Sequence, residues 1–337
     1  MCVSVSVVNG RRSPDNAKHH HGSHAHQAKL EEEESDSGSE GRSAEDIEEL
    51  SSMSISYPMP VLRPIPQCGI LNFDTSKAIL VNKVLINYRE FTEKRLAVER
   101  TLPHMNGEPK FFSPTGNPLY RATKESLSQI YKEQVPLLHD FLRNTFDQYA
   151  RCSGEEQKRI CVLFYPILWE IESCYWTYRN MPVGVDHSTL LMCTQTTYID
   201  SKDARYWIGN TDGENESRVQ EKIDRFETLF ARAREYVLDT MHSLILKEFE
   251  FILLLTLNIW STKNHRASRD SEVRADEVRS ALFDDIHILY HDGMKIENYA
   301  NRMGVLMCLF TEVQNADMCS TIKDVLFSDF TAYINSL

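Results

Sequence analysis

Two neighbouring acids, Asp284 and Asp285, and two histidines one helical turn apart, His287 and His291, are spaced for chemistry. Paired carboxylates can share a magnesium ion, and imidazoles at i and i+4 make half of a transition-metal site. Each set is incomplete. Ile286, His287 and Ile288 follow the acids with no third carboxylate at helical spacing, and no further ligand accompanies the histidines. A charged face of a surface helix accounts for the acids. The eight cysteines, at 2, 68, 152, 161, 174, 193, 308 and 319, form no CxxC pair. Several fall in apolar runs, so buried free thiols in a reducing compartment are expected. His19, His20, His21, His24 and His26 lie in a polar tract whose close spacing would hold a metal ion weakly, and a disordered tail is the plainer reading. Glycine-rich phosphate loops, HExxH and GxSxG are absent. The residues predict a binding protein: not an enzyme, with no cofactor and no metal centre.

The elements that position side chains begin late in the chain. Residues 1–56 are rich in Ser, Glu, His and Gly, and too poor in large apolar groups to offset the entropy of ordering. They hold five basic and eleven acidic residues, half of the net charge of −12. That balance speaks against direct nucleic-acid binding. A Pro-rich linker, with Pro58, Pro60, Pro64 and Pro66, covers 57–73, and a helical domain is expected over 74–337. The start, MCVSVSVVNGRR, has too short an apolar run for a secretory signal. The later run from 251 to 260 falls well below the roughly 20 residues that span a bilayer, so no membrane segment is expected.

Within the domain, residues 160–179, ICVLFYPILWEIESCYWTYR, have almost no polar face. A helix that is apolar all round needs a layer on each side. This predicts an all-α, three-layer antiparallel helical sandwich with 160–179 in the middle and Pro166 at a bend. Glu170 and Glu172 test that placement: in a middle layer they must find partners. Further helices are expected from Ser76, over 123–151 with a kink at Pro136, over 219–241, 244–260, 272–291 and 295–312, and at the C-terminus. Prolines and glycines between 103 and 118 predict an irregular loop, and 190–199 a short β-hairpin, the one strand-like place.

The order of VNKVLINYREFTEKR, FLRNTFDQYA, SGEEQKRICVLFYPILWEIESCYWTYR, LMCTQTTYID, DEVRSALFDDIHILY, YANRMGVLMCLFTEV and LFSDF resembles the ligand-binding domain of nuclear hormone receptors, in the large nematode-type subfamily. The likeness covers about 74–334. It implies an apolar ligand cavity in the lower half of the sandwich, residence in the nucleus with the cytoplasm as a second location, and a switch that recruits coregulators. Leu326, Phe327, Asp329 and Phe330 are similar to the family's activation helix. On a helix Leu326, Phe327 and Phe330 share one face, and Asp329 stands beside it to meet the amides of a partner helix. The basic residue of the clamp corresponds to Arg143, with Lys158 and Arg159 across the groove. By layer, Phe141, Thr145, Leu168, Trp169, Met192 and Cys193 would face a small lipophilic ligand, although core packing explains each equally well. Met303, Leu306, Met307 and Phe310 give the 295–313 helix a stripe for homo- or heterodimer pairing or for the core. The family's DNA-binding module needs CxxC zinc sites that this sequence lacks, so a transcriptional role is expected to run through partners. The competing reading is a helical interaction scaffold with a filled core that pairs with or titrates a receptor.

Overall fold

The computed structural model describes residues 77–102, 108–181, 188–208, 215–261 and 268–314. The acidic tail, the Pro-rich linker and Leu326, Phe327, Asp329 and Phe330 lie outside the described residues. The helical unit belongs to Ile70–Leu337.

The organising helix, α4, runs Gly154–Asn180 and continues through Pro166. Ser153 caps it by accepting from the Glu156 amide, and Glu155 and Glu156 place negative charge at the positive end of its dipole. Its second half is buried almost residue by residue from Leu168 to Tyr175. The other helix without a solvent face, α8 (Glu248–Ile259), packs against it. Both lie between two outer layers. On one side are α1 (Ile79–Thr101) and α2 (Lys124–Thr145). On the other, the short α5 (Ala204–Ile208) packs on α6 (Glu216–Arg232), which continues through a π-helical turn, Ala233–Leu238, into α7 (Asp239–Leu244). That turn packs on α4 and on α10 (Ala300–Val313). α9 (Arg269–Ile288) packs on α1 and α8 and ends in a second π-helical turn, Leu289–Gly293. The three-layer helical sandwich is therefore the observed architecture.

Four local features depart from the sequence-based expectations. The helix over 123–151 is two helices, α2 and the short α3 (Asp147–Ala150). They part at Phe146, whose backbone is extended and whose ring is buried edge-on against Trp260 at 5.5 Å. The 295–313 helix starts at Ala300, because Lys295 has φ +56°, a left-handed conformation that a right-handed helix cannot contain. The segment read as an irregular loop holds two strands, β1 (Phe111–Phe112) and β2 (Pro118–Arg121), joined by a turn in which Gly116 takes φ +80°. With the predicted hairpin, β3 (Leu190–Met192) and β4 (Thr197–Asp200), they form a four-stranded sheet in the order β1-β2-β4-β3. The β2–β4 pairing is parallel, and the other two are antiparallel. Four residues in β2, between a loop and a helix, give too short an alternation to detect.

The fourth departure concerns the paired acids. α1 has no side-chain cap of its own. Asp285 of α9 supplies one from across the fold, accepting the Val81 amide at 2.8 Å. Burial raises the pKa of its carboxyl, while the Val81, Leu80 and Ile79 amides pull it back. One acid of the pair is thus a helix cap in trans, and Asp284 beside it faces solvent.

Candidate functional site

The interior between α1, α2, α4 and the β3–β4 hairpin holds a buried polar group. Arg95 and Glu99 stand one turn apart on α1, in line with Tyr88. Glu172 of α4 receives Arg95 Nη1 on both oxygens, at 2.8 and 2.7 Å, and the Tyr88 hydroxyl at 2.6 Å. Burial works against the Arg95 charge, but the Glu172 carboxylate outweighs it and the guanidinium pKa is raised. Burial and the same carboxylate hold the Tyr88 hydroxyl well above its usual range. Glu172 therefore has the partners that a middle-layer acid requires, and Glu170, also buried, lies on another face of α4, near Cys174.

Glu99 is completely buried. It accepts from Gln134 Nε2 of α2 at 3.1 Å, and from the hydroxyls of Thr194 and Thr196 in the hairpin turn at 2.8 and 2.5 Å. Burial raises its pKa, opposed by Thr196, Arg95, Thr194 and Gln134. One carboxylate thus ties the end of α1 to α2 and to the hairpin.

Next to this group lies Tyr131, one turn before Gln134 on α2. Burial lifts its pKa well above the usual range, Cys193 and Tyr165 add to the rise, and the Trp169 indole N–H opposes it. Tyr165 meets Tyr131 edge-on at 5.9 Å. The structure thus brings Trp169 and Cys193 together around Tyr131. The other four predicted wall residues are placed differently. Phe141 lies about 15 Å farther along α2, stacked on Phe91 at 5.1 Å and edge-on to Tyr88. Thr145 is one turn beyond, buried with its hydroxyl unpartnered. Leu168 is in the main core. Met192 falls in a smaller cluster with Leu119, Leu190 and Tyr198, whereas its neighbour Cys193 joins the main core. Successive residues of an extended chain point to opposite faces, which separates the two.

Arg143 is exposed in the last turn of α2 and forms no ion pair among the described residues. Lys158 and Arg159 are half-buried in the first turns of α4, and one terminal nitrogen of Arg159 is buried without a partner. On α10, Leu306 is in the core and Met303, Met307 and Phe310 pack against it. The outward face carries Gly304, Val305 and Cys308. His287 Nδ1 lies 2.7 Å from the Tyr299 hydroxyl, and its ring stacks on His291 at 5.6 Å. Among the described residues no three His, Cys, Asp or Glu side chains converge as metal ligands, and no helix is long and apolar enough to cross a membrane.

Helical spacing puts Tyr131 and Gln134 on the inward stripe of the second helix without marking them, or Glu99, as a site. A signal existed: Tyr88, Arg95 and Glu99 follow the spacing of the buried stripe of α1, so their polar groups enter the interior with it.

Comparison with known proteins adds two findings. The profile for the ligand-binding domain of nuclear hormone receptors matches residues 112–323. Nuclear hormone receptor family member nhr-43 of Caenorhabditis elegans is 58% identical over 340 residues, covering 99% of this chain and 75% of that relative.

Proposed function

Since this chain belongs to the nuclear hormone receptor family, in its nematode branch, we propose that its domain over 74–337 takes up a small apolar ligand among α2, α4 and the hairpin. Members of this family are ligand-regulated transcription factors rather than enzymes. Ligand occupancy is communicated to coregulators through the segment that carries Leu326, Phe327, Asp329 and Phe330, in the nucleus. The observation that carries this reading is the convergence of Tyr131, Trp169 and Cys193, from three elements, in an interior that also holds unsatisfied polar atoms. Aromatic rings in such a place give an apolar ligand wide contact, and a few polar groups fix its orientation. Trp169 and Cys193 are assigned as ligand contacts, with Leu168 beside Trp169 on α4; Phe141, Thr145 and Met192 pack elsewhere and are not assigned as contacts.

Arg143 would meet the carbonyl end of a coregulator helix and Asp329 its amide end, with Lys158 and Arg159 beside the groove. Pairing with a second receptor chain would use the outward face of α10, around Val305 and Cys308. The test is a double replacement, Leu326→Ala with Phe327→Ala. Each lost apolar contact is worth about 1.5–3 kcal/mol, at least about a tenfold loss of affinity apiece. An amphipathic coregulator peptide is expected to stop binding in fluorescence anisotropy while the melting temperature barely moves. Unchanged binding would remove the switch.

A further inference from the structure

We propose that His287 and His291 form a site for one divalent transition-metal ion of the zinc class, where α9 passes through its π-helical turn toward α10. Sequence spacing alone leaves this pair as half a site. The structure adds what holds the two rings. His287 sits in the last turn of α9 and His291 in the π-helical turn, and both are exposed. Nδ1 of His287 lies 2.7 Å from the hydroxyl of Tyr299, the residue immediately before α10. Nδ1 of His291 lies 2.9 Å from one carboxylate oxygen of Asp292, whose other oxygen faces Lys77 at 3.9 Å. A carboxylate only accepts, so in the neutral His291 ring Nδ1 carries the proton and Nε2 the free lone pair. The Tyr299 oxygen can hold His287 in the same tautomer.

Metal-bound histidines use this arrangement: an outer partner on one ring nitrogen orients the ring and makes the other nitrogen more basic. Here both outer partners are in place, and neither Nε2 has a protein partner among the described residues. The ring separation fits as well. A tetrahedral zinc ion with two Nε2 ligands at about 2.0–2.1 Å sets their ring centres about 5 Å apart. These centres are 5.6 Å apart. Among the described residues no third His, Cys, Asp or Glu converges on the pair, so water fills the remaining positions. Two imidazoles select zinc, copper or nickel over magnesium and calcium, which take oxygen ligands. Through Tyr299, an ion there ties the end of α9 to the start of α10.

Isothermal calorimetry with Zn2+ under reducing conditions tests this on the full chain carrying His19→Ala, His20→Ala, His21→Ala, His24→Ala and His26→Ala, which removes the histidines of the tail as competitors. One equivalent of Zn2+ is expected to bind. Tyr299→Phe keeps the ring and should cost about tenfold in affinity, the low end of what an outer partner contributes. His287→Gln and His291→Gln should each cost more. Circular dichroism should show these two variants as folded as their parent, because both imidazoles are exposed. Zn2+ held by either glutamine variant as tightly as by the parent, or a parent that binds none, would overturn the site. Full affinity in Tyr299→Phe would overturn the positioning role of Tyr299.

Discussion

Replacing Glu172 by alanine is expected to destabilise the domain by about 3–5 kcal/mol, the range for breaking a buried ion pair from one side. The Arg95 and Glu172 side chains are only 6% and 2% exposed. The guanidinium would stay charged in a dry layer with its main partner gone, and the Tyr88 hydroxyl would lose the acceptor it reaches at 2.6 Å. Glu172→Gln keeps the volume but not the charge, so it should recover only part of the loss. Changing both partners, Arg95→Met with Glu172→Met, should cost far less than either single change, because a hydrophobic pair of similar size needs no compensation. Urea unfolding of the wild type, Arg95→Met, Glu172→Met and the double variant measures this coupling. A loss under about 1 kcal/mol for Glu172→Ala would mean that water reaches the pair, contradicting the placement of α4 between two layers.

Phe251→Ala is expected to cost about 3–5 kcal/mol as well, by a different mechanism. Its ring is completely buried, stacked on Tyr175 of α4 at 3.8 Å with planes 12° apart, and 5.3 Å from the Tyr88 ring. It therefore joins α8 to α4 and α1 at one point, and truncation leaves a void that three helices must close together. In a domain of this size the melting temperature should fall by roughly 10 °C. Phe283→Ala on α9 is the control: that ring is 41% exposed, so little apolar burial is lost. Equal losses at the two positions would contradict the assignment of α8 to the middle layer.

Both predictions rest on features that the sequence makes legible to different degrees. The two middle helices are visible because neither 160–179 nor the 251–260 run has a polar face, and no outer-layer helix can afford that. Glu172 was recognisable as a test from its place in such a helix, although its partner was not. Arg95 lies 77 residues away in sequence, and a pairing at that distance leaves no local signal. The Asp285 cap is hidden for the same reason: its acceptor role depends on the start of α1, 204 residues earlier. Strands β1 and β2 are too short for alternation, and only their pairing with the hairpin makes them strands. The site was half legible. Residue type and layer pointed to Trp169 and Cys193, both of which border Tyr131. The same reasoning grouped them with Phe141, which instead stacks on α1, because position along a helix decides which neighbour a buried face meets.

The central claim is that this interior holds a lipophilic ligand, and native mass spectrometry of the purified full chain addresses it most directly. The expected result is a folded protein carrying a bound, extractable, apolar molecule of roughly drug-like size, and loss of that species in Trp169→Ala protein that still folds. Protein at its bare sequence mass, unchanged after incubation with 1-dodecanol, would contradict it and leave a filled-core interaction scaffold in its place.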